Sequence, residues 1–255
     1  MEYKALMLDI DGTLIPYEYD AIPSINVSGA IKKAEKKVSI FLVTGRAFNA
    51  TAKVREALGI TSGLIVTNAG ACVIDIESKE PLYDCPIEKG EAKEVTSILK
   101  SYGIEYFVKE DFYDGGPFYK VDDFKKAYMI FSYECYSHET MVKVFNDLSK
   151  FSNIALHKTK HKEPDKYGVN ITHINATKLH GIEKILETVP VKREEIIGVG
   201  DGYNDFPLLM ACGLKVAMGN AIPDLKEVAD YIAPSVDEDG VAHVIEKFIL
   251  SPHEG

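Results

Sequence analysis

The sequence predicts an α/β protein, a doubly wound parallel sheet of Rossmann-like form carrying an inserted α+β cap. Three observations lead there. Short unbroken apolar runs, Ala5–Leu8, Ser39–Val43 and 64–66, have the pattern of strands buried on both faces, and segments of helical spacing separate them. The same alternation of apolar run and amphipathic segment returns after residue 177. Between these two stretches the apolar residues instead alternate with polar ones, as in antiparallel strands with one covered face.

The elements follow in order. After the first strand, 26–37 has helical spacing, Ser39–Val43 is the second strand, and 47–58 is a helix that Gly59 is placed to stop. In the middle, helices are expected at 88–102 and 139–150, and strands at 105–108, 127–133, 153–157 and 167–174. A polar, turn-rich stretch spans 110–123. The returning core reads as helix 179–188, strand 196–199, helix 205–211, strand 215–218, helix 224–229 and strand 231–233. This divides the chain into core 1–80, insert 81–176 and core 177–255.

Composition narrows the function classes. With 255 residues and a net charge of -10, the chain has ample core and lacks the basic footprint that broad nucleic-acid binding requires. No apolar run is long enough for a signal sequence or membrane span, so a cytoplasmic protein without membrane contact is expected. Cys72, Cys85, Cys135 and Cys212 show no metal-ligand spacing and read as free thiols among apolar neighbours. Nothing in the sequence fixes an oligomeric state.

The chemistry-bearing residues lie after the apolar runs. Asp9 and Asp11 end the first strand and precede Gly12-Thr13; Thr44-Gly45-Arg46 follow the second; Lys178 opens the helix that re-enters the core; Gly200-Asp201-Gly202-Tyr203-Asn204-Asp205 follow the strand 196–199. Ligands of open α/β sheets bind beyond the carboxyl ends of the strands, so these four groups are expected to converge. The set suits phosphoryl transfer, in which a carboxylate attacks phosphorus once the repulsion between anions is cancelled. Magnesium would do this, held by Asp9, Asp201, the backbone carbonyl of Asp11 and Asp205. Lys178 adds positive charge, Thr44 a hydroxyl and an N–H, and Gly12 and Gly45 close backbone approach. Asp11, two residues from Asp9, is placed for proton transfer to the leaving oxygen and from water.

Blander readings stand beside these. A pair of aspartates two apart is commonly a solvated surface feature, and Thr44 also reads as a helix N-cap. The Gly198 to Tyr203 stretch superficially matches a dinucleotide loop, but Tyr203 occupies the third glycine position. Arg46 reads equally as a carboxylate's partner and as a substrate ligand. The basic run His157-Lys158-Thr159-Lys160-His161-Lys162 is either a solvated loop or a cap loop that grips an anion. The aromatic and acidic stretch 111–119 is either a sugar-contacting loop or a hairpin with inward rings.

DIDGT, LVTGR, a lysine before a helix, and GDGYND, in this order, resemble the haloacid dehalogenase superfamily of aspartate-nucleophile phosphatases. NAGA at 68–71, AMGNA at 217–221 and the position of the insert make the chain similar to the Cof-type sugar phosphatase branch, subfamily IIB. The resemblance implies Asp9 as nucleophile, Asp11 as acid and base, Thr44 and Lys178 as phosphate binders, Asp201 and Asp205 as metal ligands, and Asn204 as a polar contact near Lys178 or the phosphate. It implies a mobile cap that selects the substrate, a small phosphorylated metabolite such as a sugar phosphate or phosphoglycolate. The alternatives are a phosphotransferase or mutase of the phosphomannomutase type and a non-catalytic binding protein. One departure is the order Lys178-Leu179-His180-Gly181, where relatives often place glycine directly after the lysine; Lys184 is the nearest rival.

Overall fold

The computed structural model describes residues 2–18, 20–113, 124–132, 136–160 and 166–251. Cys135, residues 114–119 of the aromatic stretch and His161-Lys162 of the basic run lie outside them.

The first strand, β1 (Ala5–Leu8), is buried at all four positions. Helix α1 (Ile25–Ala34) starts where the Ser24 hydroxyl accepts the Val27 N–H, and it buries Val27, Ala30, Ile31 and Ala34, the stripe that a period of 3.6 residues dictates. Strand β2 (Ser39–Val43) follows. Helix α2 (Ala52–Leu58) ends at Gly59, whose φ of 78° lets its N–H return to Arg55 and Glu56 carbonyls. Strand β3 (Leu64–Thr67) completes the first parallel set. The chain then reverses through β4 (Cys72–Asp75) and β5 (Pro81–Asp84), an antiparallel pair added to the edge of the same sheet. The sequence reading assigned no strand to 72–75 and opened the insert at residue 81. In the structure Pro81–Asp84 pairs with β4, so the larger sheet runs on to Asp84.

The insert then contributes β6 (Ile87–Glu88), α3 (Lys89–Ser101), β7 (Phe107–Lys109), β8 (Lys126–Ala127), β9 (Met129–Phe131), β10 (Tyr136–Ser137), α4 (His138–Leu148), β11 (Ile154–Lys160) and β12 (Lys166–His173). β7, β9, β12, β10 and β11 form an antiparallel sheet, and β6 pairs with β8. Alternation along the strands sorts their side chains. Val108, Ile130, Ile154, Val169 and Ile171 join a core with Val95 and Leu99 of α3 and Met141, Val144 and Leu148 of α4. The opposite face, which carries Phe107, Lys109, Met129, Phe131, His157 and Thr172, turns to the core unit, where Met129 and Phe131 pack on Ala69. The basic run begins in a strand rather than a loop, because 154–160 pairs along its length with β12.

The return passes through α5 (Lys178–Leu186), β13 (Ile196–Gly200), α6 (Phe206–Met210), β14 (Leu214–Ala217), α7 (Pro223–Val228), β15 (Tyr231–Ile232) and α8 (Gly240–Ile245). The larger sheet is ordered β15-β14-β13-β1-β2-β3-β4-β5, parallel as far as β3. Because β1 lies between β13 and β2, with Leu8 level with both Val199 and Leu42, residues 9, 44 and 200–201 leave neighbouring strands side by side. No helix among the described residues is long and apolar enough to cross a membrane.

Candidate active site

Asp9, Asp201, Asp205 and Lys178 meet at those strand ends, and each is at most 4% exposed. Lys178 is the first residue of α5, whose N-terminus is capped by the Thr177 side chain accepting the His180 N–H. Its Nζ donates to Asp9 Oδ1 and to Asp205 Oδ1, both at 2.6 Å. The other oxygen of Asp205 accepts the backbone N–H groups of Asp201 and Gly202, each at 2.9 Å, which fixes the loop after β13. Lys184, the rival lysine, instead pairs with Glu187 on the exposed side of α5.

The electrostatics leave an unbalanced cluster. Three buried carboxylates face one buried ammonium, and burial of charge is costly unless it is paired. Burial and then the neighbouring Asp205 hold the Asp9 carboxyl well above the usual range. The same two causes push Asp201 up to about 7. For Lys178 burial acts the other way, but Asp205 and Asp9 outweigh it and hold the ammonium above its ordinary value. Ligand oxygens of Asp9, Asp201 and Asp205 lie within 4.8 Å of one another, a spacing that admits one cation. A divalent oxygen-seeking ion matches the two uncompensated negative charges and the all-carboxylate donor set.

Asp11 stands apart. Its carboxylate, about one-third exposed, receives a two-pronged contact from Arg46, with Nε to Oδ2 at 2.9 Å and Nη2 to Oδ1 at 2.6 Å. The side chain is therefore outside the acidic cluster, and only its backbone carbonyl was expected to serve a metal. Of the two readings of Arg46, the structure supports the carboxylate partner; the guanidinium also donates to the Ala50 carbonyl. Thr44 is fully buried, and its hydroxyl accepts the Arg46 N–H at 3.1 Å, turning the loop back over the strand end. Asn204 Oδ1 lies over Gly202, in the loop after β13. His173 and His180 serve locally, the first beside Cys85 and the Asn175 N–H, the second beside the Thr177 hydroxyl.

Other side chains support the site, of which Tyr17 and Lys109 carried no signal of their own in the sequence. The Tyr17 hydroxyl donates to Asp201 Oδ2 at 2.5 Å, and the Thr13 hydroxyl approaches the other oxygen at 3.4 Å. Asn220, within AMGNA, donates to the Gly12 carbonyl and accepts the Val236 N–H, tying the loop after β14 to the loop after β1. Gly12 sits at φ 81°, and a Cβ there would fall 2.4 Å from Asp201 Oδ2. From the insert, Lys109 donates to the Gly45 carbonyl at 2.9 Å, and Phe112 and Tyr113 accept the N–H groups of Phe48 and Asn49.

The turn Asn68-Ala69-Gly70 supports all of this from below. All three residues have positive φ, 49°, 60° and 110°. The Asn68 and Ala69 N–H groups donate to the Arg46 and Thr44 carbonyls, and at Gly70 a Cβ would lie 2.0 Å from the Thr177 carbonyl. Only glycine lets the start of α5, and with it Lys178, come so close.

Comparisons with known proteins agree with this geometry. Residues 6–245 match the model of the haloacid dehalogenase-like hydrolase family. The chain is 27% identical to the 5-amino-6-(5-phospho-D-ribitylamino)uracil phosphatase YcsE of Bacillus subtilis, over 98% of this chain and 97% of that one. It is 24% identical to phosphoglycolate phosphatase 1 of Saccharolobus solfataricus, over 99% and 98%. Among solved structures, a HAD subclass IIB sugar phosphatase shares the fold with a TM-score of 0.78 at 24% identity, covering 96% of this chain and 98% of its own. The chain belongs to the haloacid dehalogenase-like hydrolase family and is an enzyme of its phosphatase kind.

Proposed function

We propose that the chain is a magnesium-dependent phosphomonoester hydrolase that works through a phosphorylated Asp9 on a small phosphorylated metabolite. The observation that carries the reading is the buried cluster at the strand ends, in which Lys178 holds Asp9 and Asp205 at 2.6 Å while Asp201 closes the acidic group. Lys178 fixes one oxygen of Asp9, leaving the other to attack phosphorus, and its charge offsets that of the incoming phosphate. Asp201 and Asp205, with Asp9 and the Asp11 carbonyl, are the ligands for magnesium. Bound there, the ion neutralises phosphate charge as a Lewis acid. Thr44 and the Gly45 N–H bind phosphate oxygens at the turn after β2. Asp11 gives its proton to the leaving oxygen and later takes one from the water that cleaves the acyl phosphate, with Arg46 orienting its carboxylate between the two steps. The insert 81–176 is a substrate-selecting cap, supported by the face that β7, β9 and β11 turn toward the core.

The test is phosphate release from a panel of sugar phosphates, phosphoglycolate and nucleoside monophosphates, with magnesium and with chelator, for the native chain and for Asp9→Asn. Turnover that needs magnesium and falls at least about ten-thousandfold in the variant is expected. Full activity in chelator, or a variant retaining a hundredth of the native rate or more, would contradict the reading.

A further inference from the structure

The acidic cluster is one pole of the cleft; the other pole is positive and comes from the insert. Lys109, at the end of β7, is 8% exposed and donates one hydrogen bond, to the uncharged Gly45 carbonyl one residue from Thr44. The carboxylate that influences it most, Asp11, is already engaged by both prongs of Arg46. Two cations thus face one carboxylate on this side. Burial without a counter-ion pushes the Lys109 ammonium down to about 7, only partly opposed by Asp11.

The sheet register adds neutral polar atoms to the same face. Lys109 pairs with Met129, and one step beyond the pairs Asn170 with Phe131 and Ile171 with Ile130 the antiparallel register brings Thr172 level with Met129. The Thr172 hydroxyl is buried and without a partner. In the next row, His157 pairs with Asn170, and its buried Nε2 also has no partner. Burial, and then the charge of Lys178, hold this imidazole below its ordinary pKa. A buried lysine and, across Met129 and Phe131 from it, two buried polar atoms without partners share this face of the sheet.

We infer that Lys109, with Thr172 and His157 on the same sheet face, binds a second anionic group on the leaving half of the substrate, so that the enzyme selects phosphate esters carrying a carboxylate or further phosphate. This rests on the hydrolase reading above. The charge is the argument: beside the Gly45 carbonyl, the Lys109 ammonium has the Phe131 ring, 5.6 Å from Nζ, to offset its burial, a weaker partner than an incoming anion bound by a charge-assisted hydrogen bond in a low-dielectric setting.

The experiment compares esters matched in size. Steady-state kinetics of the native chain, Lys109→Met and Lys109→Arg are measured on 2-phosphoglycolate against 2-hydroxyethyl phosphate, and on glucose 1,6-bisphosphate against glucose 6-phosphate. The two pairs separate a carboxylate from a second phosphate as the preferred group. The native chain should favour the anionic member of at least one pair by ten-fold or more in kcat/KM. Lys109→Met should lose that preference through a 10- to 100-fold rise in KM for the anionic ester, with the neutral ester unchanged, and Lys109→Arg should recover part of it. Unchanged hydrolysis of the neutral ester shows that the variant folds. A native chain without preference, a variant that keeps the preference, or an equal KM rise on both esters would overturn the inference, the last by making Lys109 a fastening only. Calorimetric titration of the same esters reads the preference without turnover: charge-selective binding that Lys109→Met abolishes, with no hydrolysis, would retain the anion site and reject the hydrolase reading.

Discussion

The two sheets meet the cleft in opposite electrical states. In the acidic cluster at the carboxyl edge of the parallel sheet the charged groups are joined: Lys178 spans Asp9 and Asp205, Asp205 holds two backbone N–H groups, and Asp201 receives Tyr17 and Thr13, while Thr67 Oγ1 and Asn68 Oδ1 at the end of β3 lack partners. On the antiparallel sheet, His157 Nε2 and Thr172 Oγ1 lack partners and Lys109 spends one donor on a carbonyl. A fully connected network keeps one geometry through many turnovers, as bond-making chemistry requires. Groups left unsatisfied in the absence of ligand gain most when a particular ligand arrives, as selection requires.

The sharpest way to break this contrast is to damage the connected side. Lys178→Met should lower kcat about a thousandfold on every ester alike, with no change of preference among them. It should also destabilise the fold by roughly 3–5 kcal/mol in the absence of metal, because Asp9 and Asp205 lose their buried counter-charge. Kinetics on two unlike esters and a denaturant titration measure both effects. A loss confined to one ester would mean that chemistry and selection are not separated as described.

A smaller effect sharpens the picture of the acidic pole. With Asp201 pushed up to about 7 and Asp9 also raised, the metal-free folded chain holds protons that the unfolded chain has released above about pH 4. Stability in chelator should therefore rise as pH falls from 8 toward 5, by about 2 kcal/mol or a few degrees in melting midpoint, and level off near pH 4. Magnesium should stabilise the chain more at pH 8 than at pH 5, since protons and metal compete for the same oxygens. Thermal melts across that range check this, and a metal-free midpoint that falls on acidification would refute it.

The smallest expected effect tests the seam between the two sheets. Lys158 of β11 lies 4.0 Å from the Tyr167 ring centre and 5.8 Å from that of Tyr203, in the loop after β13. Lys158→Ala should raise KM by about two- to five-fold on neutral and anionic esters alike, the size of one lost cation–π contact. A selective effect on the anionic ester would move part of the anion site from Lys109 to β11.

How much of this was legible in the sequence follows the same division. The core strands were readable because parallel strands buried on both faces leave unbroken apolar runs; Asp9 and Asp201 were readable as polar residues directly after such runs, and Lys178 as the lysine that opens the returning helix. The reversal from β3 into β4 was missed because its turn, Asn68-Ala69-Gly70, lies inside what looked like a family mark rather than a chain reversal. The strand expected at 153–157 runs on to Lys160, an extension hidden by its lysines, whose composition resembles a solvated loop until the pairing partner is known. Lys109 and Tyr17 gave no signal, since a lysine at a strand end and a tyrosine in a loop become site residues only through contacts distant in sequence, with Gly45 and Asp201. The pairing of Arg46 with Asp11 was open for the same reason.

One tripeptide also sets how freely this enzyme can be altered. Through Asn68-Ala69-Gly70 the chain touches the loop after β2, the first residue of the lysine-bearing helix and the aromatic underside of the insert at once. A change there would be felt in three places in a single step, and no one compensating substitution could repair them all. Under the proposed role of the insert, variation that retunes the substrate range is cheapest at side chains of its strands, which can change without disturbing the backbone pairing. The turn is the point of least freedom, where a mutational path toward a new substrate has to leave the backbone as it is.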